Sequence, residues 1–199
     1  MLPAEARKHL MSDVITDARA CTYCAEVLPH APRPVFQISP SARILIAGQA
    51  PGRKAHETGI PFDDASGDRL RAWMGVDRTT FYDATKVAIL PMGFCYPGTG
   101  KSGDLPPRPE CAPKWRQALM AMLTDVSLTL VIGTYARDWH MPYLKGKTLT
   151  EAVRDPENGA GGRFLLPHPS PRNNIWLKKN PWFEAEVLLR LRAVVAQAI

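Results

Sequence analysis

Four short apolar runs, each cut off by glycine or proline, constrain this chain more than any other feature. Residues 42–48 (ARILIAG) end at Gly48, residues 87–90 stop at Pro91, residues 128–132 end at Gly133, and residues 164–166 stop at Pro167. Runs of this length, rich in Ile, Val and Leu and without polar alternation, fit strands covered on both faces. Elsewhere the apolar residues recur at helical spacing. Leu2, Ala6, Leu10, Val14 and Ala18 predict an amphipathic helix over the first twenty residues. Leu70, Trp73 and Met74 predict a helix capped by Ser66 or Asp68, and residues 112–123 predict another. Val187, Leu188, Leu191, Val194, Val195 and Ala198 form the stripe of a last helix, opened by Asn180-Pro181. Strands alternating with helices imply an α/β fold, three-layer α/β/α, with a central four-stranded parallel sheet. With 199 residues, no repeat and no linker, a single domain over 1–199 is expected. In an open parallel sheet the carboxyl ends of the strands share one rim, where ligands bind. Gly48-Gln49, Pro91-Met92, Gly133-Thr134 and Pro167-His168 are therefore expected to converge on one cleft.

The formal charge of +6 is a mild pointer to a polyanionic partner such as nucleic acid. No apolar run approaches the ~18 residues of a membrane span, so no membrane partner is expected. The first ten residues lack the basic, apolar and small-residue pattern of a secretory signal. A cytoplasmic, bacterial-type location and a monomer are expected, with action at the nucleoid. The 19 prolines gather mostly in 29–40, 91–113 and 167–171, as rigid connectors beside the candidate site segments.

Cys21 and Cys24 form a C-x2-C pair, and fifteen residues separate Cys95 from Cys111. A reducing compartment disfavours disulfides. Thioredoxin-like chemistry is disfavoured because the C-x2-C precedes a proline-rich loop instead of opening a helix after a strand. Two unrelated pairs of buried thiols, or one four-thiolate site for zinc or an iron–sulfur cluster, remain open. Residues 98–102 (GTGKS) imitate the end of a phosphate-binding loop. That pattern needs glycine where Cys95 stands and a helix afterwards, and the chain continues GDLPPRP. No nucleoside triphosphate is expected, and the segment reads as a flexible basic surface loop.

The segments GQAPG (48–52) with TGIPF (58–62), and HPSP (168–171), together resemble motifs A and B of the uracil-DNA glycosylase superfamily. The cysteine spacing, with RPEC at 108–111, resembles its iron–sulfur branch, often called family 4. The resemblance covers roughly residues 20–192 and implies a DNA repair hydrolase that excises uracil from DNA. It implies a [4Fe-4S] cluster on Cys21, Cys24, Cys95 and Cys111. It implies catalytic roles for His168, which would stabilise charge on the departing base, and for Gln49, whose backbone, with that of residues 50–52, would approach the base and activate or orient water. Ala50, Pro51, Gly52 and Phe62 would bind the extruded base, with Phe62 stacking on it. The stretch Pro169 to Asn174, with Ser170, Pro171, Arg172 and Asn173, would enter the duplex. Apart from the resemblance, the charges of Lys178 beside that stretch and of Arg33 in its proline-flanked loop suit phosphate contacts.

The chemistry suits these residue types. A base inside a duplex must be flipped out at a cost of a few kcal/mol, which an aromatic face partly offsets. Cleavage of the sugar–base bond leaves negative charge on the base, and one preorganised donor to it is worth roughly 3–4 kcal/mol. A neutral imidazole can supply that donor from one nitrogen while the other is held elsewhere. No lysine matches a catalytic position, so strand cleavage through a Schiff base is not expected. The chain departs from the pattern at three positions. Gln49 stands where family 4 usually has Glu, and Ala50 follows where some branches carry an acid or amide. Glu57, Asp63 and Asp64 are the nearby carboxylates. Pro91 occupies the place of the Asn that reads uracil, which leaves the backbone of Met92, Gly93 and Phe94 as the expected substitute. Another deaminated base (hypoxanthine or xanthine) and an inactive damage-binding module are the alternatives to uracil excision.

Overall fold

A computed structural model of the chain describes residues 13–101 and 103–199. Leu2, Ala6 and Leu10 of the expected first stripe lie outside the described residues. In chain order the strands are β1 (Ile44–Ala47), β2 (Val87–Ile89), β3 (Thr99–Gly100), β4 (Gly103–Asp104), β5 (Leu128–Ile132) and β6 (Arg163–Leu166). The helices are α1 (13–19), α2 (Arg53–Thr58), α3 (Ala65–Met74), α4 (Arg78–Tyr82), α5 (Gln117–Met120), α6 (Gly133–His140), α7 (Leu149–Arg154), α8 (Asn174–Lys179) and α9 (Leu188–Ala198). Wider, π-helical turns at Ala112–Arg116 and Phe183–Val187 lead into α5 and α9.

β2, β1, β5 and β6 form a four-stranded, wholly parallel sheet in that order. The chain reaches β2 on one side of β1 and then crosses back to β5 on the other, which creates a reversal point at the end of β1. Alternation along the strands sorts the core into two layers. Ile44, Ile46, Val87 and Ile89 pack with Leu70 and Trp73 of α3 and Leu191 and Val195 of α9. Leu45, Ala88 and Leu90 face the opposite way, onto Ala18 of α1, Leu119 of α5 and the Phe36–Phe94 pair. This is the α/β/α sandwich that the pattern of runs predicts. No helix among the described residues is long and apolar enough to cross a membrane.

Two local expectations change. Asp64, rather than Ser66 or Asp68, caps α3 by accepting the Gly67 N–H at 2.9 Å. β3 and β4 pair antiparallel where a flexible loop is expected, with Thr99 paired to Asp104 and Gly100 to Gly103.

The exit of β2 is set by a buried cation. Arg116, fully buried, donates from Nη1 to the carbonyls of Leu90 and Pro91 at 2.6 and 2.9 Å. Its Nη2 lies 2.6 Å from Nε2 of His140. Arg116 is permanently charged, so the imidazole must accept. Burial, reinforced by Arg116 and Arg163, pushes the His140 ring down to about 3. The sign follows from proton counting: below the ordinary value of 6.5 the unfolded chain takes up a proton that the native ring refuses. This contribution to stability is complete above that pH and drains as pH falls toward 3, by up to about 1.4 kcal/mol per pH unit. Urea unfolding from pH 7 to 4 is expected to fall more steeply for the wild type than for His140→Gln, which keeps an acceptor for Arg116 but does not titrate.

Candidate active site

The chain leaves β1 through Gly48 and reaches α2 at Arg53, so residues 48–52 form an irregular turn at the rim. Two backbone bonds hold this turn: Met92 N–H donates to Gly48 O at 2.8 Å and Gly93 N–H to Gln49 O at 2.9 Å. The side-chain Nε2 of Gln49 donates to Leu105 O at 3.0 Å, just past β4. A cleft of about 770 Å³ opens here, lined among others by Gln49, Ala50, Pro51, Gly52, Phe62, Pro91 and His168.

Among the described residues Phe62 is the one non-glycine with positive φ, at 55°. For an L-residue that conformation costs about 1–2 kcal/mol, so its surroundings must impose it. Gly67, in the first turn of α3, supplies the room, because a Cβ there would stand 1.8 Å from Phe62 O. Arg71 Nη1 reaches the same carbonyl at 3.5 Å, and the ring meets Phe81 edge-on at 6.2 Å. The ring tip lies 3.6 Å from where a Cβ on Gly48 would stand, so Phe62 projects over the glycine that ends β1.

His168 enters from the end of β6. Its Nδ1 accepts the Ser170 N–H at 3.2 Å, so a neutral ring carries its hydrogen on Nε2. Burial holds the ring below the ordinary histidine value, opposed by Asp64 and Asp104 and assisted by Arg172. The loop beyond it is stapled. Asn173 Nδ2 donates to His168 O at 2.6 Å, Ser170 Oγ accepts the Arg172 N–H at 3.2 Å, and Arg69 of α3 bonds Ser170 O at 2.9 Å and Asn174 Oδ1 at 2.8 Å. An N–H donor on a fixed ring, beside an aromatic face, suits charge developing on a planar leaving group.

Two carboxylates line the same cleft, Asp64 and Asp104. Asp104 was missed in the sequence because Lys101-Ser102 is no recognised hairpin turn and hides the strand pair that carries it. Arg69 was missed too: a single arginine on a helix gives no sign that it staples a loop some hundred residues away.

The structure gathers Gln49, Ala50, Pro51, Gly52, Phe62, His168, Ser170, Pro171, Arg172 and Asn173 around the cleft. It does not bring the other expected residues there. Gly133-Thr134 is absent from the lining because α6 starts at once after β5, with Gly133 at φ 78° turning the chain away. Met92 is buried in the core, and Gly93 lines the cysteine cavity. The amides of Met92 and Gly93 serve Gly48 and Gln49, and that of Phe94 donates to Cys111 Sγ at 3.3 Å, so none is left to read a base. Arg33 uses Nη1 on the carbonyls of His56 and Glu57, at 2.8 and 2.7 Å, closing the end of α2. Lys178 is exposed on α8, outside the lining.

Cys21, Cys24, Cys95 and Cys111, all unpaired, line one small cavity on the far side of residues 93–95. Each sulfur has a donor: Trp115 Nε1 to Cys21 at 3.2 Å, the Arg108 side chain to Cys24, the Arg33 amide to Cys95 and the Phe94 amide to Cys111. Burial pushes the Cys111 thiol up to about 12 and Cys95 to about 11. Among the described residues no group of three or more His, Cys, Asp or Glu is gathered as a single-ion site.

Residues 35–192 match the family model of the uracil DNA glycosylase superfamily. The match takes in both motif segments, Cys95 and Cys111, and begins after Cys21 and Cys24.

Gly67→Ala tests the support under Phe62. Displacing that backbone is expected to cost about 1–3 kcal/mol in chemical denaturation, as for overpacked interiors, and to weaken base excision more than DNA binding.

Proposed function

The chain belongs to the uracil DNA glycosylase superfamily, whose members are DNA glycosylases acting on damaged bases, and from that premise we propose that it is a monofunctional hydrolase that flips uracil out of DNA, cuts its N-glycosidic bond and leaves an abasic site. The observation that carries this reading is the fixed tautomer of His168, with Nδ1 occupied and Nε2–H left to donate in a cleft that also holds Phe62. In the proposed reaction the base stacks on Phe62, and the C1′–N bond breaks with its electron pair going to the base. His168 Nε2–H donates to the base oxygen where that charge gathers. Water supplies the new C1′–O bond. Arg172, exposed beside the cleft, and the 170–173 loop face the duplex in this arrangement. The cleft volume and Pro91 in place of an amide side chain leave room for a larger deaminated base, and this alternative has its own arm in the test.

Oligonucleotides carrying a single uracil, hypoxanthine, xanthine or mismatched thymine, treated with protein and then alkali, are expected to break at uracil. A break at hypoxanthine or xanthine alone reassigns the base, and no break anywhere leaves only a binding module. His168→Ala is expected to slow excision at least a hundredfold with the fold intact, and unchanged turnover would remove that residue from the reaction.

The four cysteines are further proposed to hold a [4Fe-4S] cluster, whose contribution is to tie residues 21–24 to the sheet. Their gathering around one cavity, each with a donor, fits thiolate ligands. Purified protein is expected to be brown and to lose its visible absorbance when one cysteine is changed to serine. Colourless protein with one bound zinc would refute the cluster.

A further inference from the structure

Motif A carries no carboxylate, since Gln49 and Ala50 stand where other arrangements place an acid, yet the water that attacks C1′ must lose a proton. Two acids approach this point from outside the motif. A Cβ on Gly52 would lie 3.6 Å from Asp104 Oδ2 and 3.7 Å from Asp64 Oδ2, so the two carboxylates face the same bare stretch of backbone. Both are sensed electrostatically by His168. Among the described residues neither is in an ion pair, whereas the neighbouring Asp63 and Asp68 are paired with Arg78 and Arg71.

The two acids are differently bound. Asp64 gives Oδ1 to the Gly67 amide, which fixes its other oxygen toward Gly52. The Asp104 carboxylate has no hydrogen-bond partner among the described residues and is exposed at the hairpin edge, where it can return a proton to solvent. The hairpin is anchored over the cleft. Gln49 holds Leu105, Arg53 Nη2 donates to Thr99 Oγ1 at 3.1 Å, and Leu105 N–H bonds Gly98 O at 2.8 Å. Across the mouth, Arg172 lies against Gly103, where a Cβ would come within 2.5 Å of its guanidinium. Arg53, Lys54 and Arg172 line the same cleft and suit phosphate, whereas an acid among them opposes phosphate binding. A carboxylate held there has no use in binding phosphate, which leaves proton transfer as the chemistry open to it.

We propose that Asp104, delivered by the β3–β4 hairpin, accepts the proton of the attacking water while Asp64 orients that water. This rests on the glycosylase reading. As the C1′–N bond breaks, the water oxygen bonds to C1′, one water proton passes to the Asp104 carboxylate, and the base leaves as an anion that takes up a proton from solvent. The carboxylate then returns its proton to solvent.

The test is single-turnover excision of the base that wild type removes best, paired with binding to an oligonucleotide bearing a tetrahydrofuran abasic analogue. D104N is expected to excise 10- to 100-fold more slowly and to bind the analogue as tightly as wild type or several-fold more tightly. D104E is expected to recover part of the rate. A melting temperature equal to wild type excludes misfolding, and D104S gives a second variant if D104N does not fold. Excision by D104N within twofold of wild type, or a rate loss matched by weaker binding, overturns the role of Asp104 alone. Wild-type protein that excises none of the four bases overturns the glycosylase reading and this inference with it.

Discussion

Everything at the rim depends on how residues 90–95 spend their backbone hydrogen bonds. The carbonyls of Leu90 and Pro91 are taken by the buried Arg116. The next two amides go to Gly48 and Gln49, and the third goes to Cys111 Sγ. One six-residue stretch is thus bonded to the motif A turn on one side and to the cysteine cavity on the other. Arg116 comes from the turn that directly follows Cys111, so the helix bearing one cysteine also sets the exit of β2. Unmet buried polar groups cost about 1–3 kcal/mol each, so these bonds cannot slip singly. The cysteine cavity and the motif A turn are therefore joined by one run of backbone.

Phe62 and His168 are held by opposite means. Phe62 sits in a strained conformation that its own φ preference opposes, and Gly67 and Arg71 hold it there. His168 sits in a loop whose prolines, internal bonds and Arg69 staple agree with one another. Strain concentrates at functional positions when the surroundings over-determine it. The residue whose ring is proposed to meet the base carries a strained backbone, while the proposed donor sits in a loop fixed by ordinary hydrogen bonds.

The sheet was legible because each strand is a buried apolar run with a Gly or Pro stop, and that signal is local. The rim was legible through topology, because strand ends in a parallel sheet share one edge. Gly133-Thr134 escaped this logic since a helix begins without an intervening loop, and apolar patterning does not register loop length. The hairpin escaped because β3 and β4 are two residues each and bury nothing, so no periodicity marks them. Arg33 looked like a free cation in a proline loop. Its use as the closing donor for α2 depends on residues 56 and 57 folding back toward it, a tertiary fact. The cysteines were legible as a set only by resemblance, because their spacing alone left zinc, a cluster and unrelated thiols open.

Gln49 in motif A has a structural use that an acid there could not fill. A glutamate at 49 would present only acceptors at neutral pH and could not donate to the Leu105 carbonyl, whereas glutamine can. The bond from Gln49 Nε2 fixes the strand end next to Asp104. A carboxylate at 49 would place like charge near Asp64 and Asp104, repelling the hairpin it now anchors. Gln49 and Asp104 therefore make one arrangement in which the amide supports the hairpin end and the acid is held beside the motif A turn. Gly52 belongs to it as well, since any side chain there would enter the space between the two carboxylates.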